Sequence, residues 1–263
     1  MGAGYNKLIG INKAYTDTEF ETKINTAKVS AVKGKTFTDI DARFESIEQT
    51  LAINALDKGF TINESSNNYT AFADLIAEVN GEYIDLYFSK GAYRIQNDIT
   101  IPSNFRLHFA KGAKLKRTNG AIITLNCEIE AGLYKIFDDD NGTGSFSGNI
   151  NVDKIFVQWF GAKGDEITDN TIPIQKSVNL ASNKGCKKVY FVNGIYAIYS
   201  SITCMHGITI EGEYNAYSSK GIPSPNTKDL KGTVIKDMST DVSTPLLQVG
   251  DGITFVQGFA IKN

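Results

Sequence analysis

Apolar and polar positions alternate in short bursts along most of this chain, and two of those bursts resemble each other. Leu86-Tyr87-Phe88-Ser89-Lys90-Gly91-Ala92-Tyr93-Arg94-Ile95 is followed by Ile99-Thr100. Val189-Tyr190-Phe191-Val192-Asn193-Gly194-Ile195-Tyr196-Ala197-Ile198 is followed by Ile202-Thr203, with Tyr-Phe, Gly, Tyr, Ile and Ile-Thr at matching places. Alternation within each half predicts strands, and the glycine between them suits a turn that needs positive φ. A helical stripe precedes each burst. Phe72, Leu75, Ile76 and Val79 form the first, with Thr70 as cap and Gly81 as stop. Ile174, Val178 and Ala181 form the second; Asn170 or Thr171 caps it, Pro173 sits in the first turn and Gly185 ends it. Each copy therefore predicts a capped helix, a strand, a glycine turn and a second strand. Tyr87, Tyr93 and Ile95 are expected to share packing roles with Tyr190, Tyr196 and Ile198. Such internal repetition indicates an architecture of stacked units.

Residues 1–36 have weak periodicity and predict an extended or loosely helical arm. Across 37–59 the pattern changes. Ile40, Phe44, Ile47 and Leu51 recur at spacings of four, three and four, one stripe on a helix expected from Asp39 to Asp57. Thr38 or Asp39 can cap its start and Gly59 its end, while Asn54 continues the stripe as a polar residue at a core-type position. The run is short, so two readings stay open: an oligomer-forming, trimeric coiled-coil helix, or a helix packed on its own domain. Residues 60–156 hold the first repeat. Residues 157–263 hold the second, followed by short strands at Ile208–Ile210, Thr233–Ile235, Leu246–Val249 and Gly258–Ile261. These predict the first coils of a stack around a narrow apolar interior. The last stops in mid-pattern, and the native protein is expected to continue past Asn263.

Composition narrows the chemistry. The chain has 263 residues, 41% hydrophobic and 21% charged, which is globular composition. A formal net charge of -2 gives no general attraction to nucleic acid or an anionic membrane. Cys127, Cys186 and Cys204 are far apart and form no CxxC pair, which argues against a disulfide framework or a structural zinc site. His108 and His206 are isolated. No cofactor and no metal are expected. The start lacks a signal-peptide core, and no stretch is apolar enough to span a membrane, so no membrane insertion is expected.

The second copy carries a fuller signature. Trp159-Phe160-Gly161-Ala162-Lys163-Gly164-Asp165 leads to Thr168-Asp169-Asn170-Thr171 and Ile174-Gln175, and then to Tyr190-Phe191-Val192-Asn193-Gly194-Ile195-Tyr196. This resembles the opening of the pectate-lyase-like right-handed β-helix superfamily, to which many phage tailspikes and capsule depolymerases belong. Glu166 stands where that family usually has glycine, Asn170 where it has a second aspartate, and Val192 where it has proline. The resemblance implies a mainly β fold: the start of a right-handed parallel β-helix with a helix-containing N-terminal cap, preceded by an α-helical attachment arm. Trp159, Phe160, Gly161, Gly164, Asp165, Asp169, Gly194 and Tyr196 would form the cap motif. Asp165 and Asp169 could be paired catalytic carboxylates, but their place before a helix favours a structural role. Lys23–Thr38 and Ala42–Glu45 loosely resemble the connector before receptor-binding modules in phages of Gram-positive bacteria.

Two further stretches carry candidate chemistry. Asp138-Asp139-Asp140-Asn141-Gly142 could offer oxygens to calcium, but a solvated turn suits it better. The basic strand from Lys111 to Arg117 could meet an anionic glycan, though a solvated strand face is the simpler reading. The expected protein is a homotrimeric spike on the virion tail, extracellular after host lysis. Its arm would dock on a tail or baseplate protein and its β-helix on a host surface glycan, with any depolymerase site outside this segment or shared between subunits. The alternatives are a non-enzymatic adhesin or structural tail component, and thirdly a bacterial polysaccharide lyase or hydrolase.

Overall fold

The computed structural model describes residues 29–30, 35–36, 52–63, 65–140, 143–181, 185–204, 207–213, 232–240, 245–249 and 260–262. The chain divides into two units, Met1–Ala52 and Ile53–Asn263. In the first, β1 (Val29–Ser30) and β2 (Lys35–Thr36) pair antiparallel. The stripe Ile40, Phe44, Ile47 and Leu51 lies outside the described residues. Its expected continuation to Asp57 is corrected: Ile53–Asn54 is a strand, β3, and Ala55–Lys58 a 3-10 turn. Ile53 and Asn54 pair in parallel with Leu86 and Tyr87, and the Asn54 side chain accepts the Leu56 N–H at 3.0 Å. Gly59 does adopt the left-handed conformation, φ 79°, but it ends the 3-10 turn.

The second unit winds as a stack of parallel coils. After helix α1 (Tyr69–Val79), the first coil is β4 (Ile84–Phe88), β5 (Gly91–Ile95) and β6 (Ile99–Ile101). The second coil is β7 (Phe105–Phe109), β8 (Ala113–Arg117) and β9 (Ile122–Leu125), and the third β10 (Glu128–Ala131), β11 (Phe137–Asp139) and β12 (Ser145–Ser147). Each strand pairs with its counterpart one coil on, giving the sheets β3-β4-β7-β10, β5-β8-β11 and β6-β9-β12. Ile84 pairs with Phe105, 21 residues on, and Gly91 with Ala113, 22 residues on. Parallel strands need a long return connection; here the rest of the coil supplies it. Alternation sends every second residue inside, so Leu86 and Leu107 lie in one buried column and Phe88 stacks on Phe109 with centroids 5.1 Å apart.

The second copy repeats this plan. β13 (Ile155–Phe156), a 3-10 turn at Val157–Phe160, β14 (Asp165–Asp169) and α2 (Thr171–Ala181) precede a coil of β15 (Lys188–Phe191), β16 (Gly194–Ile198) and β17 (Ile202–Cys204). β18 (Thr209–Gly212), β19 (Thr233–Asp237), β20 (Leu247–Val249) and β21 (Ala260–Lys262) extend the sheets β13-β15-β18-β21, β14-β16-β19 and β17-β20. Coils were expected only after Ile208, yet residues 60–156 already hold three. Nor does the expected division at 156/157 separate compact units, because Phe137 packs on Phe160 at 5.1 Å and on Trp159 at 6.4 Å.

The likeness of the two copies extends to their hydrogen bonds. In the first, Asn68 is buried; its Oδ1 accepts the Thr61 N–H at 2.7 Å and its Nδ2 donates to Thr61 O at 3.0 Å and Arg94 O at 3.1 Å. In the second, Asn170 is fully buried; its Oδ1 accepts the Lys163 N–H at 2.7 Å and its Nδ2 donates to Lys163 O at 2.9 Å and Ala197 O at 3.4 Å. The main-chain N–H of each donates to that same strand carbonyl, Arg94 O or Ala197 O, at 2.8 Å. One carboxamide thus ties a cap loop, a helix start and a coil strand together. Helix α1 begins at Tyr69 behind Asn68, so the expected cap Thr70 lies inside the helix, which ends on Asn80 in the left-handed region at φ 45°, just before Gly81.

Asn170→Ala would take away the side chain that ties the Lys163 amide and carbonyl of the cap loop to Ala197 O of the coil. We expect it to lower unfolding free energy by about 2–4 kcal/mol in urea titration, with a similar loss for Asn68→Ala. A loss below about 1 kcal/mol at both, the level of an ordinary surface change, would contradict this role.

Candidate functional site

The residues of the cap motif come together, and their bonds are structural. Trp159 is buried and its Nε1 donates to Gly132 O at 3.1 Å. Phe160 is buried, and Gly161 follows in the left-handed conformation at φ 95°. Gly164 lies against Gly194 so closely that a Cβ on Gly194 would come within 2.7 Å of the Gly164 Cα. Tyr196 is buried, donates to Val192 O at 3.0 Å and accepts from Gln158 Nε2 at 2.6 Å; burial pushes its phenol up to about 12.

Asp165 and Asp169 are spent on turns. Asp165 accepts the Thr168 N–H at 2.8 Å, the Thr168 hydroxyl at 2.7 Å and the Ile167 N–H at 3.1 Å. Those bonds, the Thr168 N–H first, hold its carboxyl down at about 2. Asp169 Oδ1 accepts the Thr171 N–H at 2.9 Å and its hydroxyl at 2.6 Å. Glu166 takes φ 66°, a conformation that glycine adopts freely, and Lys236 holds its carboxylate at 2.6 Å.

A denser grouping of chemistry lies on the outward face of the β3-β4-β7-β10 sheet. Parallel register stacks Asp85 on Arg106 on Glu128, and Tyr87 on His108 on Glu130. Arg106 Nε meets Glu128 Oε2 at 2.7 Å and Asp85 Oδ1 at 3.7 Å. His108 lies between two carboxylates, Nε2 at 3.2 Å from Asp85 Oδ1 and Nδ1 at 3.3 Å from Glu130 Oε2. Both contacts are hydrogen bonds at once only when both ring nitrogens carry protons. Tyr83, half exposed, lies under the Arg106 guanidinium at 5.6 Å and donates to Glu128 Oε2 at 3.4 Å, and Asn151 Nδ2 reaches Glu128 Oε1 at 3.0 Å.

This face runs on into the second copy. Arg106, Glu128, Glu130, Asn151, Lys154 and Phe156 line a groove of about 480 Å³. Phe156 and Tyr190 pack edge-on at 5.6 Å, with the Lys154 ammonium 3.7 Å from the Tyr190 ring centre. Charged donors and acceptors beside aromatic rings are what a polyhydroxylated ligand requires.

Two expectations are corrected. Asp138 and Asp139 belong to strand β11, not to a solvated turn, and the basic strand β8 is not a bare solvated face. The two strands are adjacent in register, so Lys114 meets Asp138 at 2.8 Å and Arg117 meets Asp139 at 3.3 Å. Burial pushes Asp138 up, but hydrogen bonds from Lys114 and Lys135 outweigh it and hold the carboxyl below its ordinary value. Cys127 and Cys204 are buried, which pushes their thiols to about 12 and about 11; neither is a nucleophile near neutral pH.

Sequence reasoning missed Asp85, Arg106, Glu128 and Glu130, and it set His108 aside as isolated. The signal that could have found them is the coil period. Asp85, Arg106 and Glu128 are outward positions 21 and 22 residues apart, one per coil. Asn68 was missed because it stands just before the helix stripe, where Thr70 looked the better cap.

Residues 155–257 match the family described as rhamnogalacturonase A/epimerase, pectate lyase-like. The match opens on the first residue of β13 and therefore covers the second cap and the coils after it, supporting a β-helix-type fold of a polysaccharide-related kind. No curated protein and no solved structure matches the chain.

Because Asp165 is held below its unfolded value, its contribution to stability is present above about pH 4 and lost as pH falls through about 2. NMR titration of the folded chain should find the Asp165 carboxyl near 2. Thr168→Val, which keeps the N–H and removes the hydroxyl, should move it upward; no movement would contradict the assigned cause.

Proposed function

We propose that this chain is the capped β-helical portion of a phage tailspike or receptor-binding protein. It attaches to the virion tail, assembles as a homotrimer and presents the outward face of its first coils to a host surface polysaccharide. The observation that carries the reading is the ladder Asp85–Arg106–Glu128 with Tyr87–His108–Glu130, of which Arg106, Glu128 and Glu130 share one groove with Phe156, itself packed on Tyr190. Sugars offer many hydroxyls that both donate and accept, together with apolar ring faces. The carboxylates and Arg106 answer the hydroxyls; Phe156 and Tyr190 answer the rings. Strands give such a surface a rigidity that loops do not, and stacked coils extend it along the stack, as a polymer ligand requires. The pectate-lyase-like match to residues 155–257 supports the polysaccharide class.

A second reading, cleavage at the same face, is favoured by one observation. Glu128 and Glu130 are two residues apart on β10 and face the same way, which puts two carboxylates on one outward face, the residue pair that glycosidases use. Arg106 pairs with Glu128 at 2.7 Å, while Glu130 stands beside His108 at 3.3 Å. In that arrangement Glu130 or His108 would carry the proton for a leaving group, with Glu128 as the charged partner.

Incubation with capsule and cell-wall glycans from candidate hosts, followed by size-exclusion chromatography, tests both readings. The binding reading expects glycan to co-elute with the protein, and Tyr190→Ala to weaken retention about tenfold, a typical loss for an aromatic anchor. Shortened polymer, lost in Glu130→Gln, would establish cleavage. A glycan that neither co-elutes nor shortens under any condition would overturn the assignment.

A further inference from the structure

The interior column of the β5-β8-β11 sheet changes character as it nears the second cap. Ile95 pairs with Arg117, and Arg117 with Asp139, so an apolar position becomes a guanidinium and then a carboxylate. Both charged side chains are nearly buried, 4% and 5% exposed. Arg117 Nη1 donates to Thr143 O at 2.7 Å, and Lys176 of α2 reaches Asp139 at 2.6 Å. A buried ion pair is weak evidence of stabilisation, because removing both charges from water offsets their attraction. One coil earlier isoleucine serves the same position, so the fold does not demand charge there.

These charges face an opening between α2 and the third coil. Two adjoining hollows of about 240 and 400 Å³ share Asp139, Phe160, Ile172 and Lys176. Phe146 and Pro173 complete an apolar surface, and Ile172 is 57% exposed. The first copy is a control within the chain. Aligned on Asn68 and Asn170, Ile172 corresponds to Thr70, Phe160 to Lys58 and Lys176 to Asp74, and those three also line a hollow on their cap. The cap thus folds with polar residues where the second copy presents Ile172 and Phe160.

Charge decides the ligand class. Arg117, Lys135 and Lys176 line the cleft together with Asp138, Asp139 and Asp169. Three cations against three carboxylates leave no excess to attract a phosphate or a uronate. Alternating donors and acceptors suit hydroxyl groups, each of which gives one hydrogen bond and accepts others. Lys176 and Lys135 each direct one of three N–H groups at a carboxylate, at 2.6 and 2.5 Å, which leaves donors for a ligand. The exposed Ile172, seated over the buried Phe160, offers a surface for the C–H face of a ring.

We propose that the cleft between α2 and the third coil binds a neutral pyranose unit, as a second sugar site apart from the outward face of the β3-β4-β7-β10 sheet. It rests on the reading of the chain as polysaccharide-binding. Lys176 and Lys135 take the hydroxyls, and Ile172 takes the ring face.

The test is an NMR titration of the isotope-labelled chain with maltose, cellobiose and lactose, with glucuronate and glucose 6-phosphate as charged arms. At least one neutral disaccharide should shift the amides of Ser145, Phe146, Ile172 and Lys176 saturably, and the charged sugars should shift them no more strongly. Ile172→Ser, and the double replacement Arg117→Met with Asp139→Leu that removes both buried charges together, should each weaken binding about tenfold while the thermal midpoint holds. Silence of these amides with every neutral sugar, a response to the charged sugars alone, or normal binding by both variants would overturn the proposal. Tyr190→Ala separates the sites: it should weaken whole-glycan retention about tenfold and leave these shifts intact. Shifts here without retention at the outward face would sink only the outward-face assignment.

Discussion

A parallel coil cannot end itself, and the rest of this structure follows from how its ends are covered. The first and last strands of each sheet leave backbone groups unpaired, and the apolar interior opens onto water. Each copy meets this with the same device: a short strand, a 3-10 turn ended by a left-handed glycine, a loop and a helix. At its centre stands one buried asparagine, Asn68 or Asn170, bonded to a loop amide, a loop carbonyl and a strand carbonyl. A carboxamide is the side chain that can accept from one such group and donate to two others.

The second cap does more than cover an end. Its 3-10 turn carries Trp159 and Phe160, which pack on Phe137 of the third coil, where the first cap has Asp57 and Lys58 at the corresponding places. Within Ile53–Asn263 the second cap is therefore a joint between two sets of coils, and a joint leaves recesses that a uniform stack would not. The groove beside Phe156 and the cleft beneath α2 both lie there. Possible ligand sites thus arise from the same packing step that continues the fold.

How legible this was depended on which residues carried each feature. The two copies were readable because they share residues that packing constrains: Tyr93 and Tyr196, both fully buried, and Gly91 and Gly194, where an added Cβ would meet the Ile62 side chain and the Gly164 backbone respectively. The shorter period of the coils was not readable, because outward residues vary and the turns differ in length; Ile84 and Phe105 are 21 apart, whereas Ile99 and Ile123 are 24 apart. The candidate site draws one outward residue from each of several coils, so its members are never neighbours in sequence. Asn54 looked like a helix position by spacing, but pairing of β3 with β4 decided its conformation. Asp138 and Asp139 looked like a turn by propensity, until the basic strand one coil earlier supplied their partners.

Native-state hydrogen exchange at the Thr61 and Lys163 amides tests most directly that one capping device is used twice. Each amide lies in a loop and donates to the buried asparagine of its own cap. Both should exchange as slowly as the interior amides of β7 and β16, and each should become fast when its own asparagine is replaced by alanine while the other stays slow. Rapid exchange at either amide in the intact chain, or loss of protection at both from a single replacement, would contradict it.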